Sequence, residues 1–185
     1  MNVIETKLPG VVVVEPGVFG DERGFFMETW RADRYEEAGL PACFVQDNLS
    51  FSHRGVLRGL HFQNPDQQGK LVYVLQGEAY DVAVDIRVGS PPFGEWEAVT
   101  LSSENKRQFY VPEGFAHGFL VTSSTALFAY KCTAQYNAEA EASVLWNDPQ
   151  IGIEWPVETP VLSEKDRAAP PLAQMPVEQL PQYTP

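Results

Sequence analysis

Between Lys70 and Ile86 the chain spells out two β-strands and the turn between them, and this stretch restricts the fold more than any other. Tyr80-Asp81-Val82-Ala83-Val84-Asp85-Ile86 alternates with period two, setting Tyr80, Val82, Val84 and Ile86 on one face and Asp81, Ala83 and Asp85 on the other. Lys70-Leu71-Val72-Tyr73-Val74-Leu75 is β-branched and aromatic on both faces, and Gln76-Gly77 supplies the hairpin turn. The same pattern recurs along the chain. Further strands are expected over 11–15, 26–30, 44–52, 56–62, 95–102, 108–111, 118–122, 126–133 and 143–146. Turn chemistry separates them at Asn64-Pro65-Asp66, Gly89-Ser90-Pro91-Pro92, Ser102-Ser103-Glu104-Asn105 and Ser123-Ser124. One segment reads as helix: residues 31–38 lack β-branched residues, and Gly39 follows as a stop with Pro41 beyond it. Residues 168–185 carry five prolines in eighteen positions, which predicts short turns that pack loosely on the body or fray. Many short strands, Gly/Pro turns and little helix predict an all-β protein, a β-sandwich or jelly-roll barrel.

At 185 residues with 44% hydrophobic content, the chain fits one domain, 1–185, able to fold without staples. A net charge of −12 repels nucleic acid and anionic membrane, while a small phosphorylated ligand remains possible where Arg and Lys converge. Apolar runs such as Val11 to Val14 reach only four or five residues, far below the ~18 of a membrane span. The first seven residues have neither a basic start nor an apolar core, so no secretory signal is read and a cytoplasmic protein is expected. Cys43 and Cys132 form no disulfide framework, and Cys132 reads as a core filler.

Ionisable side chains inside strand-like sequence are the informative ones, because burying them is costly unless they are paired or used. Three segments qualify: Gln46-Asp47-Asn48, Arg58-Gly59-Leu60-His61-Phe62, and Pro112 to Phe119 with His117 at its centre. His53, His61 and His117 offer no H-x-H pair and no zinc spacing, so no metal site is expected. Neither a G-x-S-x-G nucleophile elbow nor a glycine-rich phosphate loop leading into a helix is present. General acid–base chemistry remains, with His as base and Tyr, Lys or a carboxylate as partner.

Arg23-Gly24-Phe25-Phe26-Met27-Glu28, Gln46-Asp47-Asn48-Leu49-Ser50 and Gly55-Val56-Leu57-Arg58-Gly59-Leu60-His61-Phe62 resemble the dTDP-4-dehydrorhamnose 3,5-epimerase family. So do Gly69-Lys70-Leu71-Val72, Val111 to Phe119, Tyr130-Lys131-Cys132-Thr133, Trp146-Asn147-Asp148-Pro149, Ile153-Glu154-Trp155-Pro156 and Leu162 to Asp166. These motifs run in order over residues 1–167. The resemblance implies a cupin-type jelly roll (a double-stranded β-helix) with one or two short helices, forming a homodimer without metal or organic cofactor. It implies a dTDP-linked 4-keto-6-deoxyhexose substrate, inverted at C3 and C5 on the route to dTDP-L-rhamnose. By the same resemblance, His61 is the base, Asp166 its orienting partner and Tyr130 the acid on the opposite face. Arg23, Glu28, Gln46, Asp47, Asn48, Arg58, Lys70, His117, Glu141 and Lys165 match substrate-contacting positions, and Tyr136 matches the aromatic residue that stacks on thymine.

The chemistry fits those residue types. A C4 ketone acidifies the neighbouring C–H bonds through an enolate at O4, and histidine is basic enough near neutral pH to take the proton. Asp166 would fix the tautomer. Lys70 and His117 are candidates to stabilise the enolate, and Arg23 and Arg58 to hold the diphosphate. One difficulty is geometric: in a regular strand residues 58 and 61 point to opposite faces. A bulge at Gly59 would repair the parity, or Arg58 reaches the site along a different wall. Competing readings are a single-centre epimerase or 3,4-ketoisomerase on the same nucleotide sugar, and a non-catalytic cupin that binds sugar.

Overall fold

The structure, a computed structural model, describes residues 1–184. In chain order the strands are β1 (Asn2–Glu5), β2 (Val12–Glu15), β3 (Val18–Asp21) and β4 (Gly24–Met27), followed by helix α1 (Ala32–Glu37). Next come β5 (Gln46–His53), β6 (Leu57–Gln63), β7 (Lys70–Gln76), β8 (Glu78–Asp85), β9 (Trp96–Ser102), β10 (Gln108–Val111), β11 (Phe115–Val121), β12 (Thr125–Cys132) and β13 (Glu141–Ser143). A one-turn helix α2 (Glu164–Arg167) and two 3-10 turns, Leu172–Gln174 and Val177–Gln179, complete the chain. Among the described residues, no helix is long and apolar enough to cross a membrane.

All the paired strands within the sheets are antiparallel. One sheet has the order β1-β2-β10-β7-β12-β5, the other β13-β6-β11-β8-β9, and β3 pairs with β4 as a separate hairpin. The two large sheets face each other in a jelly roll. Val72, Val74, Phe109 and Phe128 from the first interdigitate with Ala83, Leu101, Phe115 and Phe119 from the second. The Phe119 and Phe128 rings stack at 4.0 Å across that interior.

Each sheet is also covered outside. On the first, α1 presents Tyr35 to Val14, Leu71 and Tyr110. Tyr35 is held there by donating to Gln108 Oε1 at 2.6 Å. On the second, Leu60, Phe62, Val82, Val84 and Ile86 pack against Leu172, Met175 and Leu180 from the proline-rich end. That end is therefore held to the body: Val88 N–H donates to Pro181 O at 2.8 Å and Tyr183 N–H to Val88 O at 3.0 Å. Its apolar residues, spaced between the prolines, bury against the outer sheet face instead of fraying.

The two strands expected over 70–86 form as β7 and β8, but they do not pair as a hairpin: Gln76-Gly77 carries the chain from one sheet to the other, where β7 pairs with β10 and β12 and β8 with β9 and β11. β8 carries apolar side chains on both faces because both are buried. β1 and β3 were not expected, and three boundaries shift: the strand expected at 118–122 already starts at Phe115. The strand expected at 26–30 runs instead from Gly24 to Met27, because it folds back on Val18–Asp21 around Glu22-Arg23. The strand expected at 143–146 lies at Glu141–Ser143, in register with Gln63 to His61.

Candidate active site

The jelly roll points polar side chains inward from one end of both sheets. On β5 the alternation turns Gln46, Asn48, Ser50 and Ser52 toward the interior, and Leu49 and Phe51 outward, 62% and 56% exposed. On β7 and β12 the interior residues are Lys70, Tyr130 and Cys132, following Val72 and Phe128. On β6 and β11, His61 and His117 stand opposite each other in register.

Arg58 shares that end through a bulge. His117 pairs with His61 and Phe119 with Arg58, so β6 spends three residues where β11 spends two. Gly59 makes this possible: its φ is +132°, and a Cβ there would lie 2.5 Å from Gly118 Cα. The extra residue puts Arg58 on the same side as His61, where its Nε donates to Ser52 Oγ at 3.2 Å.

His61 lines three adjoining cavities. One of about 230 Å3 is bounded by Gln46, Asn48, Gln63, Gln68, Lys70, Tyr130, Tyr136 and Glu141. A second of about 210 Å3 reaches Ser50, Arg58, Lys70, His117, Phe119 and Tyr130. A third of about 450 Å3 lies toward Arg58, Glu141, Ser163, Lys165 and Asp166. Across these walls His61 Nε2 lies 2.5 Å from Asp166 Oδ1. Asp166 is buried, which raises its carboxyl pKa, but its bonds to His61, Ser163 and the Gly59 N–H together outweigh this and hold it below the usual value. An ionised carboxylate only accepts, so Nε2 donates and Nδ1 keeps the basic lone pair.

Tyr130 has its phenol pushed up by burial, so it stays protonated at neutral pH. Burial pushes the Lys70 ammonium down. Tyr136, 54% exposed, donates its backbone N–H to Gln46 Oε1 at 2.7 Å. Its hydroxyl donates to Glu141 Oε2 at 2.9 Å, and Lys165 Nζ reaches the same oxygen at 2.5 Å. Burial alone would raise Glu141; Lys165 and Tyr136 outweigh it and leave the carboxyl below its usual value.

Three expected site residues lie elsewhere in this chain. Asp47 points outward beside Lys131, whose Nζ donates to it at 2.9 Å, because consecutive strand residues take opposite faces. Arg23 sits at the β3–β4 turn paired with Asp21, and Glu28 is bonded by Arg34 at 3.0 Å. Neither lines the His61 cavities. Two residues were missed. Asp81, fully buried, lies 2.8 Å from His117 Nε2, and burial raises its carboxyl pKa against the pull of His117 and Lys70. Its place on the Asp81, Ala83, Asp85 face was the available signal. Ser50 lines the cavity floor with a buried hydroxyl that has no partner. Among the described residues, no three His, Cys, Asp or Glu side chains gather as a metal-binding group.

The family model described as dTDP-4-dehydrorhamnose 3,5-epimerase matches residues 5–174. A dTDP-4-dehydrorhamnose 3,5-epimerase of Shigella flexneri is 58% identical over 168 residues, covering 90% of this chain and 93% of its own. The crystal structure of dTDP-6-deoxy-D-glucose-3,5-epimerase from Legionella pneumophila, in complex with dTDP-4-keto-L-rhamnose, superposes with a TM-score of 0.97. It is 55% identical, and the match covers 100% of this chain and 99% of that one. A 3'-monoepimerase from Streptomyces bikiniensis, in complex with dTDP-quinovose, superposes at 0.90 with 36% identity, covering 97% of this chain and 93% of its own. With a family model spanning nearly the whole length and relatives this similar over nine-tenths of it, the chain belongs to the dTDP-4-dehydrorhamnose 3,5-epimerase family.

Proposed function

We propose that this enzyme inverts C3 and C5 of dTDP-4-dehydro-6-deoxy-D-glucose, giving dTDP-4-dehydro-L-rhamnose, by proton removal and return next to the C4 ketone. The observation that carries the reading is the His61–Asp166 pair sharing a cavity wall with a protonated Tyr130. His61 takes the C–H proton. The electron pair moves into the ring as an enolate, whose negative charge at O4 is stabilised by Lys70 and by His117, itself held by Asp81. Tyr130 returns a proton from the far face, and the ketone re-forms. Arg58 and Lys165 serve the diphosphate, and Tyr136 offers its exposed ring to thymine. Gln46 and Asn48 line the same wall, and Glu141 sets Tyr136 and Lys165 in place. No metal or organic cofactor enters these steps.

The chain reads as one jelly-roll domain, 1–185, working in the cytoplasm as a homodimer. Phe19, Phe25, Phe26, Leu49, Phe51 and Leu75 are all more than 48% exposed, large apolar side chains that a subunit interface would cover. In that dimer the β3–β4 hairpin would bring Arg23 and Glu28 toward the partner's cavity. The 36% identity to a 3'-monoepimerase favours one second reading, inversion at C3 alone. Product NMR in heavy water separates the two. Deuterium and inverted configuration at both carbons support double epimerisation, and change at C3 alone supports the second reading.

A further inference from the structure

The segment that carries Asp166 has too little structure of its own to hold it. Helix α2 is a single turn of four residues, far below the length at which a helix is stable alone. Its place is set by attachments on either side. Upstream, Val161 N–H donates to Gly55 O at 2.7 Å, and Leu57 N–H donates to Val161 O at 3.0 Å. Downstream, Leu145 N–H donates to Pro170 O at 2.9 Å, and Leu172 N–H donates to Asp148 Oδ2 at 2.7 Å.

Asp148 is built for that role and has no other in the reaction. Its residue is 2% exposed, and it lines none of the cavities around His61. The second carboxylate oxygen takes Gln150 N–H at 2.9 Å, and its carbonyl takes Gly152 N–H at 2.9 Å. The Trp146–Pro149 turn is thereby fixed, and a carboxylate acceptor holds an N–H about twice as strongly as a neutral one. Just beyond the bond, Leu172 packs in the cluster that contains Leu60 and Phe62, the neighbours of His61 on β6. One contact thus fixes the Asp166 segment against the strand that carries its partner.

We propose that Asp148 is a positioning residue for the His61–Asp166 pair, acting through Leu172 N–H on the segment that carries Asp166. The inference rests on the reading of that pair as the proton-transfer base and its orienting partner. A 1 Å displacement of such a group costs on the order of 100-fold in rate.

The test compares kcat, dTDP affinity and thermal stability in D148N, D166N and the double variant, with I151A as control. Ile151 packs in the same cluster without touching the site. D148N should lose on the order of 100-fold in kcat with dTDP affinity kept. I151A should lose stability and keep kcat. The double variant should be no slower than D166N alone, because Asp148 has nothing left to position. Should D148N fail to fold, L172P against L172A isolates the N–H. Pro171, at φ −57° and ψ 150°, already has the conformation required before proline. L172P should then be much slower than L172A. Equal rates for that pair, wild-type kcat in D148N, or a double variant slower than D166N by the full D148N factor would each overturn the proposal. Wild-type kcat in D166N would instead overturn the reading of the pair itself, and the positioning role with it.

Discussion

Asp166 Oδ1 meets His61 Nε2 at 2.5 Å across 105 residues of chain. Neither residue has a reason to be there from its own surroundings: His61 sits in the middle of β6, and Asp166 on a one-turn helix after the last strand. The carboxyl is held below its usual value, and the sign of the linkage follows. A folded-state pKa below the unfolded one adds stability above the ordinary value of 3.8, which is lost as pH falls through the depressed one. The orienting carboxylate therefore stays charged throughout the range in which the base must work.

Lys70 should show the opposite balance between stability and function. It is buried, among the described residues it forms no ion pair, and burial lowers its pKa from 10.5. Between the depressed value and 10.5 the unfolded chain holds the extra proton, so wild-type stability should rise with pH in that window. Lys70→Met should remove this rise and stabilise the fold by about 1–3 kcal/mol at neutral pH. It should also cost about 10²–10³-fold in kcat, the usual worth of one enolate-stabilising donor. Urea unfolding at pH about 7 and about 10, with turnover, checks all three.

Gly59 tests whether the bulge matters. A Cβ at 59 would lie 2.9 Å from His117 O as well as 2.5 Å from Gly118 Cα, whereas one at Gly55 meets nothing within 4 Å. Both glycines have positive φ, so both alanine variants bear a backbone penalty of roughly 1–2 kcal/mol. Gly59→Ala should lose clearly more stability than Gly55→Ala and should lose activity, because Arg58 and His61 can no longer share one side. Similar denaturant midpoints and similar turnover for the two would mean that the strand absorbs the change.

The parity conflict between 58 and 61 was legible in the sequence, and a bulge at the glycine between them was one of its two resolutions; the register of β6 on β11 decides for the bulge. The two strands within 70–86 and the lone helix near 31–38 were legible for the same reason, local pattern; that the strands part into opposite sheets instead of pairing was not, because their partners β9 to β12 lie further along the chain. Asp47 shows where pattern was overruled by resemblance: Gln46 and Asp47, adjacent on a strand, cannot both line one wall. Asp81 was hidden because alternation sorts β8 into two faces without telling which one looks inward. Both faces are buried, one by the opposite sheet and one by the proline-rich end, and that covering depends on contacts nearly a hundred residues apart. Asp148 was visible only as part of a motif, because a backbone N–H from position 172 leaves no trace in sequence.

Tyr136 should separate binding from chemistry. Its ring is half exposed at the cavity rim while its backbone and hydroxyl are tied down by Gln46 and Glu141. Tyr136→Ala should weaken dTDP binding by ~1–3 kcal/mol, the usual worth of base stacking, with a smaller effect on kcat. Calorimetry with dTDP decides, and an unchanged dissociation constant would return Tyr136 to a rim residue.

The exposed phenylalanines on the β3–β4 hairpin and β5 should disappear into the dimer. Phe26→Asp with Phe51→Asp places two charges on that surface and should give a monomer by light scattering, because unpaired charges are costly in a buried interface. Activity should fall with it, since Arg23 then reaches no cavity. A wild-type protein that is monomeric at micromolar concentration and fully active would end the dimer reading.

Removing the base and removing the far-face acid should fail in different ways. His61→Ala lacks the group that takes the proton, so in heavy water neither exchange nor inversion should occur at C3 or C5. Tyr130→Phe keeps the His61–Asp166 pair and the Lys70 and His117 groups at O4, losing only the phenol. The enolate should still form and be reprotonated by His61 from its original side, so exchange persists while inversion drops sharply. Some inversion by water is expected, because the cavity that Tyr130 lines opens to solvent beside Tyr136. Loss of exchange in Tyr130→Phe as complete as in His61→Ala would mean that the phenol takes part in proton removal. Wild-type exchange in His61→Ala would move the base elsewhere, and His117, paired with Asp81 in the same cavity, would be the next residue to replace.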